Sequence, residues 1–172
     1  MSHKLMAGAA MPAFSLPRAG GGEVGFGGAR AGWQLVVVYR GRHCPICKTY
    51  LSRLEALRDA FAEIGTEIVA ISGDPRDKAE ADVAEFGFGF DVGYDMSPER
   101  MRALGLYISD PRSPEETDRP FPEPGVFVVN PQGKVHIVDI SNAPFSRPDL
   151  DNLLDGIAFI QRKNYPIRGT AA

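Results

Sequence analysis

The stretch QLVVVYRGRHCPICKTYLSRLEAL, residues 34–57, decides the fold. Leu35, Val36, Val37 and Val38 form an unbroken apolar run. Such a run is what a short strand buried on both faces requires. Arg40, Gly41, Arg42 and His43 end it, and from Pro45 the period changes. Tyr50, Leu51, Leu54, Leu57, Phe61 and Ile64 recur at helical spacing, which predicts a helix from Pro45 to the stop at Gly65. Pro45 suits the first helical turn, where its missing N–H is harmless. A buried strand therefore runs directly into a helix, and Cys44 and Cys47 stand at the junction.

Outward from this stretch the alternation continues. Glu67 to Ser72 reads as the next strand, Gly73-Asp74-Pro75 as a turn, and Asp77 to Phe86 as a helix. A short strand follows near Phe90 to Val92. Ser97 or Asp95 caps a short helix through Met101 and Leu104. Ser109 to Pro124 is rich in proline and acidic residues and reads as a long loop, mobile or functional. Val126 to Val129 and Lys134 to Ile140 flank Pro131-Gln132-Gly133 as a hairpin. Asp149 to Ile160 closes the chain as an amphipathic helix. On the N-terminal side, the glycine-rich stretch Gly20 to Gly32 reads as a turn or hairpin, since it lacks the Gly-Lys-Ser/Thr ending of a phosphate-cradling loop. Strand–helix alternation implies parallel strands with right-handed crossovers. The expectation is an α/β fold in one domain, residues 1–172: a mixed central sheet flanked by helices on both faces, with ligands at the C-terminal ends of its strands.

Composition narrows the function. With 44% hydrophobic and 24% charged residues in 172, the chain is an ordinary globular protein able to bury a core without staples. Nineteen basic against 22 acidic residues leave a net charge of −3, which argues against nucleic acid as a partner. No apolar run approaches a membrane span, and residues 1–11 lack the apolar core of a signal peptide. A cytoplasmic setting is expected. No nucleotide, flavin or haem signature is visible, so no cofactor is expected.

The cysteine pair carries the chemistry. Two cysteines make neither a disulfide framework nor a four-cysteine zinc site, and His3, His43 and His136 show no metal spacing. At a helix start, free N–H groups and the helix dipole stabilise a thiolate. Arg40, Arg42, His43 and Lys48 add charge nearby, with His43 directly before Cys44. A low-pKa thiolate attacks a disulfide or a peroxide oxygen, and a thiol one helical turn away resolves the product.

The run Tyr39-Arg-Gly-Arg-His-Cys-Pro-Ile-Cys47 resembles the C-P-x-C site of peroxiredoxin-like proteins of the AhpC/TSA group, in the thioredoxin superfamily. Met11-Pro-Ala-Phe-Ser-Leu16 resembles the group's N-terminal strand, and Ile71-Ser-Gly-Asp74 its second core strand and turn. Segments 104–109, 124–129 and 142–148 resemble later parts. The resemblance implies a thioredoxin-like fold with an N-terminal β extension. It places Pro124 where the superfamily carries a cis-proline facing the cysteines. It also shows departures. Peroxiredoxins carry P-x-x-x-T-x-x-C, with the last cysteine attacking peroxide; here Arg40, Cys44 and Cys47 stand at those three positions. The arginine expected ahead of the later strand is replaced by Pro124, leaving Arg119 or Arg147 to substitute. Two versions of the chemistry follow: Cys44 attacks a disulfide and Cys47 resolves, or Cys47 attacks a peroxide and Cys44 resolves. An external thiol donor such as thioredoxin or glutathione is implied, and a homodimer. The reading from a different class is a redox sensor or binding module that does not turn over, with the 109–124 loop as its partner surface.

Overall fold

A computed structural model describes residues 3–171. A hairpin of β1 (Phe14–Pro17) and β2 (Glu23–Phe26) comes first, turning through the glycines at 20–22. β3 (Trp33–Val38) leads to α1 (Pro45–Ala56) and α2 (Arg58–Glu63). β4 (Thr66–Ile71), α3 (Arg76–Phe86), β5 (Asp91–Gly93) and α4 (Pro98–Ala103) follow. A two-residue pair, β6 (Ile108–Ser109) and β7 (Phe121–Pro122), precedes β8 (Gly125–Val129), β9 (Val135–Ile140) and α5 (Leu150–Lys163).

The central sheet has the order β5-β4-β3-β8-β9. β3, β4 and β5 are parallel, and β8 and β9 are antiparallel, so the sheet is mixed as expected. β3 is its middle strand, which explains the unbroken apolar run: both of its faces are core. Leu35 and Val37 pack with Leu51, Leu54, Phe61 and Ile157 on one side. Val36 and Val38 pack with Phe14, Leu16, Val24, Phe26 and Met101 on the other. Each of these four β3 side chains is fully buried, a contribution of about 1.5–3 kcal/mol apiece. The two covers differ. Most helices lie over the first face, whereas the second is closed by the β1–β2 hairpin and the short α4.

Two expectations are revised. The helix predicted to run from Pro45 to Ile64 divides at Leu57, whose N–H is shared between the carbonyls of Arg53 and Leu54. Beside the break the Glu55 carboxylate accepts from Arg58 and from the Gly89 N–H. The long loop from Ser109 to Pro124 is tied at its base: Ser109 pairs with Phe121 in β6–β7, and only the segment between them is irregular. The short helix α4 is capped by Ser97, whose hydroxyl accepts from the Arg100 N–H, and not by Asp95. Among the described residues, no helix is long and apolar enough to cross a membrane.

Candidate active site

The end of β3 sets the site. Tyr39 continues the strand by donating its N–H to the Ile71 carbonyl at 3.0 Å. Gly41 then adopts φ +139°, which reverses the chain, and its carbonyl accepts the Cys44 N–H at 3.2 Å. Cys44 is the N-cap of α1, in extended conformation, with Pro45 in the first turn. Its sulfur accepts the Cys47 N–H at 3.3 Å. An N-cap side chain normally offers oxygen to the exposed donors of the first turn. Here a sulfur takes that place, and the interaction favours it as an anion.

Both thiols are free and buried, Cys44 2% exposed and Cys47 0%. The Cys47 thiol, the Cys47 N–H and the Arg40 guanidinium pull the Cys44 thiol down to about 6, against its burial. The Cys44 sulfur and burial push the Cys47 thiol up, opposed by Arg147. These surroundings favour the anion on Cys44 over Cys47.

Each sulfur has its own arginine. Arg147 donates Nη2 to the Cys47 sulfur at 3.2 Å. Its Nε donates to the Pro144 carbonyl at 3.0 Å, and its guanidinium lies 4.7 Å above the Tyr50 ring. Tyr50 is fixed in turn by donating to the Pro148 carbonyl at 2.7 Å, and burial pushes its phenol up. Of the two arginines left open by the sequence, Arg147 reaches the site. Arg119 is engaged by Asp95, Asp118 and the Gly73 carbonyl. Arg40 is ion-paired with the nearly buried Glu123 at 3.0 Å and stacks on Phe121 at 4.9 Å. Glu123 also accepts from the Ser109 hydroxyl at 2.6 Å.

The other expected residues divide. Arg42 sends its guanidinium to Asp82 and Glu85 on α3, and Lys48 lies over Phe86, so neither charge is committed to the sulfurs. His43 packs edge-on against Phe121 at 4.5 Å. Burial and Arg40 lower its pKa to about 4, so the ring next to Cys44 is neutral. Tyr39 is buried with its hydroxyl unpartnered, and burial pushes its phenol up. The peptide bond before Pro124 is trans. The described residues contain no cis peptide bond, and the Pro124 carbonyl accepts the Ser141 N–H. Glu123, Phe121 and Tyr50 were missed. Nothing in an acidic, proline-rich loop singles out one glutamate, and Tyr50 reads as one more apolar position of α1.

A groove of about 490 Å³ runs beside the site between α1 and residues 144–151, with Ile46, Tyr50, Phe145 and Arg147 on its walls. A larger hollow of about 610 Å³ lies around Trp33, at the opposite end of β3 from the sulfurs. Among the described residues, no three His, Cys, Asp or Glu side chains converge as metal ligands.

A dithiol on the first turn of a helix, fed by the central strand of a mixed sheet, defines a thioredoxin-like thiol protein. The sequence profile of the AhpC/TSA family matches residues 7–138. The chain belongs to that family and is a thiol-dependent oxidoreductase. Among curated proteins, none matches it. Solved structures share its fold at low identity. A peroxiredoxin-like protein from Aquifex aeolicus superposes with a TM-score of 0.78 at 18% identity, over 92% of this chain and 89% of that one. Peroxidoxin BcpB from Mycobacterium tuberculosis gives 0.74 at 20% identity, over 91% and 98%. AhpC from the same organism gives 0.76 at 16%, over 95% and 97%.

Proposed function

We propose that the protein, acting as one domain, cycles Cys44 and Cys47 between dithiol and disulfide, with Cys44 as the attacking sulfur. The observation that carries this is the Cys44 sulfur on the Cys47 N–H at 3.3 Å, a contact that favours the anion on Cys44. With a disulfide substrate, the Cys44 thiolate displaces one thiolate and forms a mixed disulfide. Cys47 then loses its proton, attacks the Cys44 sulfur and expels the second thiolate. With a hydroperoxide, Cys44 takes the terminal oxygen and becomes a sulfenic acid, and the alkoxide leaves as the alcohol. Attack by Cys47 forms the disulfide and releases water. In both cases Arg147 stabilises the Cys47 thiolate that the second step needs. A two-electron thiol donor such as thioredoxin or glutathione restores the dithiol. A reducing, cytoplasmic setting and a homodimer fit this cycle.

A second reading has its own support. Arg147 against the Cys47 sulfur is the placement a peroxide-attacking cysteine needs, and Cys47 stands where the family carries that residue. In this reading Cys47 is oxidised first and Cys44 resolves. The test oxidises the reduced protein with hydrogen peroxide and assigns the product by mass spectrometry, in wild type, Cys44→Ser and Cys47→Ser. The first reading expects sulfenic acid trapped on Cys44 in Cys47→Ser and no fast oxidation of Cys44→Ser. Fast sulfenic acid formation on Cys47 in Cys44→Ser establishes the second.

A further inference from the structure

The turn Ser72-Gly73-Asp74 at the end of β4 reaches the loop that presents the cysteines. Asp74 is 3% exposed. Its Oδ2 accepts the Arg42 N–H at 2.8 Å. Its Oδ1 lies against Gly41, so close that a Cβ there would stand 2.7 Å away. The Asp74 backbone is fixed as well: its N–H donates to the Ser72 hydroxyl at 3.1 Å and its carbonyl accepts the Asp95 N–H at 2.8 Å. Gly41 in turn holds Cys44 through its carbonyl. One carboxylate is thus linked to the nucleophile by the Gly41–Arg42 turn alone.

We propose that Asp74 is a positioning residue of the thiol chemistry: its ionised carboxylate clamps the Gly41–Arg42 turn, and the turn sets the Cys44 sulfur on the Cys47 N–H. The proposal rests on Cys44 being the attacking sulfur. A buried carboxylate is a costly way to accept one N–H, since an amide oxygen would do so without desolvating a charge. Unneeded cost of this kind next to reactive groups is a mark of function. The groups facing Asp74 come from four directions. They are the Arg42 N–H and the Gly41 backbone from the loop, Tyr39 from β3, Lys78 and Asp82 from α3, and Arg119 from the 110–120 segment. His43 Nδ1 lies on the same side of Gly41. Burial pushes Asp74 up to about 6, opposed by the Arg42 N–H, Lys78 and Arg119 and reinforced by Asp82. The clamp therefore loosens over the same mildly acidic range in which Cys44 regains its proton.

The experiment is the pH dependence of iodoacetamide alkylation of the reduced protein, with tandem mass spectrometry assigning the labelled sulfur. Loss of one proton's worth of thiolate lowers the rate about tenfold per pH unit. The wild type is expected to fall more steeply than that below about pH 6, because two groups protonate together. Asp74→Asn copies the shape of the protonated carboxyl and removes its charge. It is expected to react about tenfold more slowly than wild type at pH 8 and to show the single-proton slope. Its melting temperature at neutral pH should equal or exceed that of wild type, which a merely structural aspartate would not show. Asp74→Ala should lose about tenfold at pH 8. Gly41→Ala, whose methyl displaces the same carboxylate, should lose a similar factor in a chain that keeps Asp74. An Asp74→Asn profile that superimposes on wild type overturns the proposal, as does a rate loss that only tracks falling stability. Label on Cys47 sinks the Cys44 reading beneath it, whereas label on Cys44 with unchanged slopes sinks the role of Asp74 alone.

Discussion

The two sulfurs lie one helical turn apart, yet their surroundings are built differently. Cys44 is held from the sheet side: by the first-turn N–H of α1, by Arg40, and behind Arg40 by the nearly buried Glu123 and Ser109. Cys47 is held from the opposite direction, by an arginine that the segment after β9 delivers across the Tyr50 ring. The first environment favours the anion of its sulfur. The second favours the protonated form of its sulfur and sets a cation against it. The difference teaches that a C-x-x-C pair gains its polarity from what surrounds it, since the two residues are otherwise the same.

The sharpest break is removal of one sulfur at a time. Cys44→Ser should lower the rate with hydrogen peroxide or a small disulfide roughly a thousand-fold or more. Cys47→Ser should leave the first attack within a few-fold and stop before the disulfide, which stopped-flow kinetics with mass spectrometry will show. Next comes Glu123→Gln, which leaves the half-buried Arg40 without its counter-charge. A loss of about 1–3 kcal/mol is expected, read as a lower denaturant midpoint, together with a Cys44 thiol shifted downward as Arg40 is freed from its carboxylate. A midpoint shift with an unchanged thiol titration would show that Arg40 does not act on Cys44. Arg147→Met tests the other side. Losing a hydrogen bond to a charged group costs about 1.5–3 kcal/mol, so disulfide closure should slow about ten- to a hundred-fold while the first step is spared. If the first step slows instead, Cys47 is the attacking sulfur.

The smallest effect is in pH. Because folding lowers the Cys44 pKa from the ordinary thiol value of 9.0 to about 6, the thiolate contributes stability at alkaline pH. That contribution is lost as pH falls through about 6. The reduced wild type should therefore gain stability over Cys44→Ser between these limits, and thiolate absorbance should titrate near the lower one. A titration midpoint at the ordinary thiol value would erase the contrast between the two sulfurs.

The sheet was legible because its signals are local. The unbroken run at 35–38 announced a strand covered on both sides, and the change of period at Pro45 announced the helix. The cysteine pair was legible for the same reason. What stayed hidden depends on residues distant in sequence. Arg147 and Arg119 read alike as loop arginines, and only the packing of residues 144–148 on Tyr50 brings the first to a sulfur 100 positions away. Asp74 was visible as part of a family-like turn, but its contact with Gly41 and Arg42 exists only once β3 and β4 lie side by side. The isomer at Pro124 was not legible either, because a resemblance carries a position and not the backbone geometry at that position.

The placement of both cysteines on one helical turn has a consequence for communication. Bonding them joins residues that are neighbours already, within a rigid element, and the ring that closes is too short to constrain the rest of the chain much. Closing that bond would ask for little movement elsewhere in the chain. Such a device holds a pair of electrons without holding a message. That suits a protein that returns to its starting point many times over, and suits poorly one that must announce what it has met.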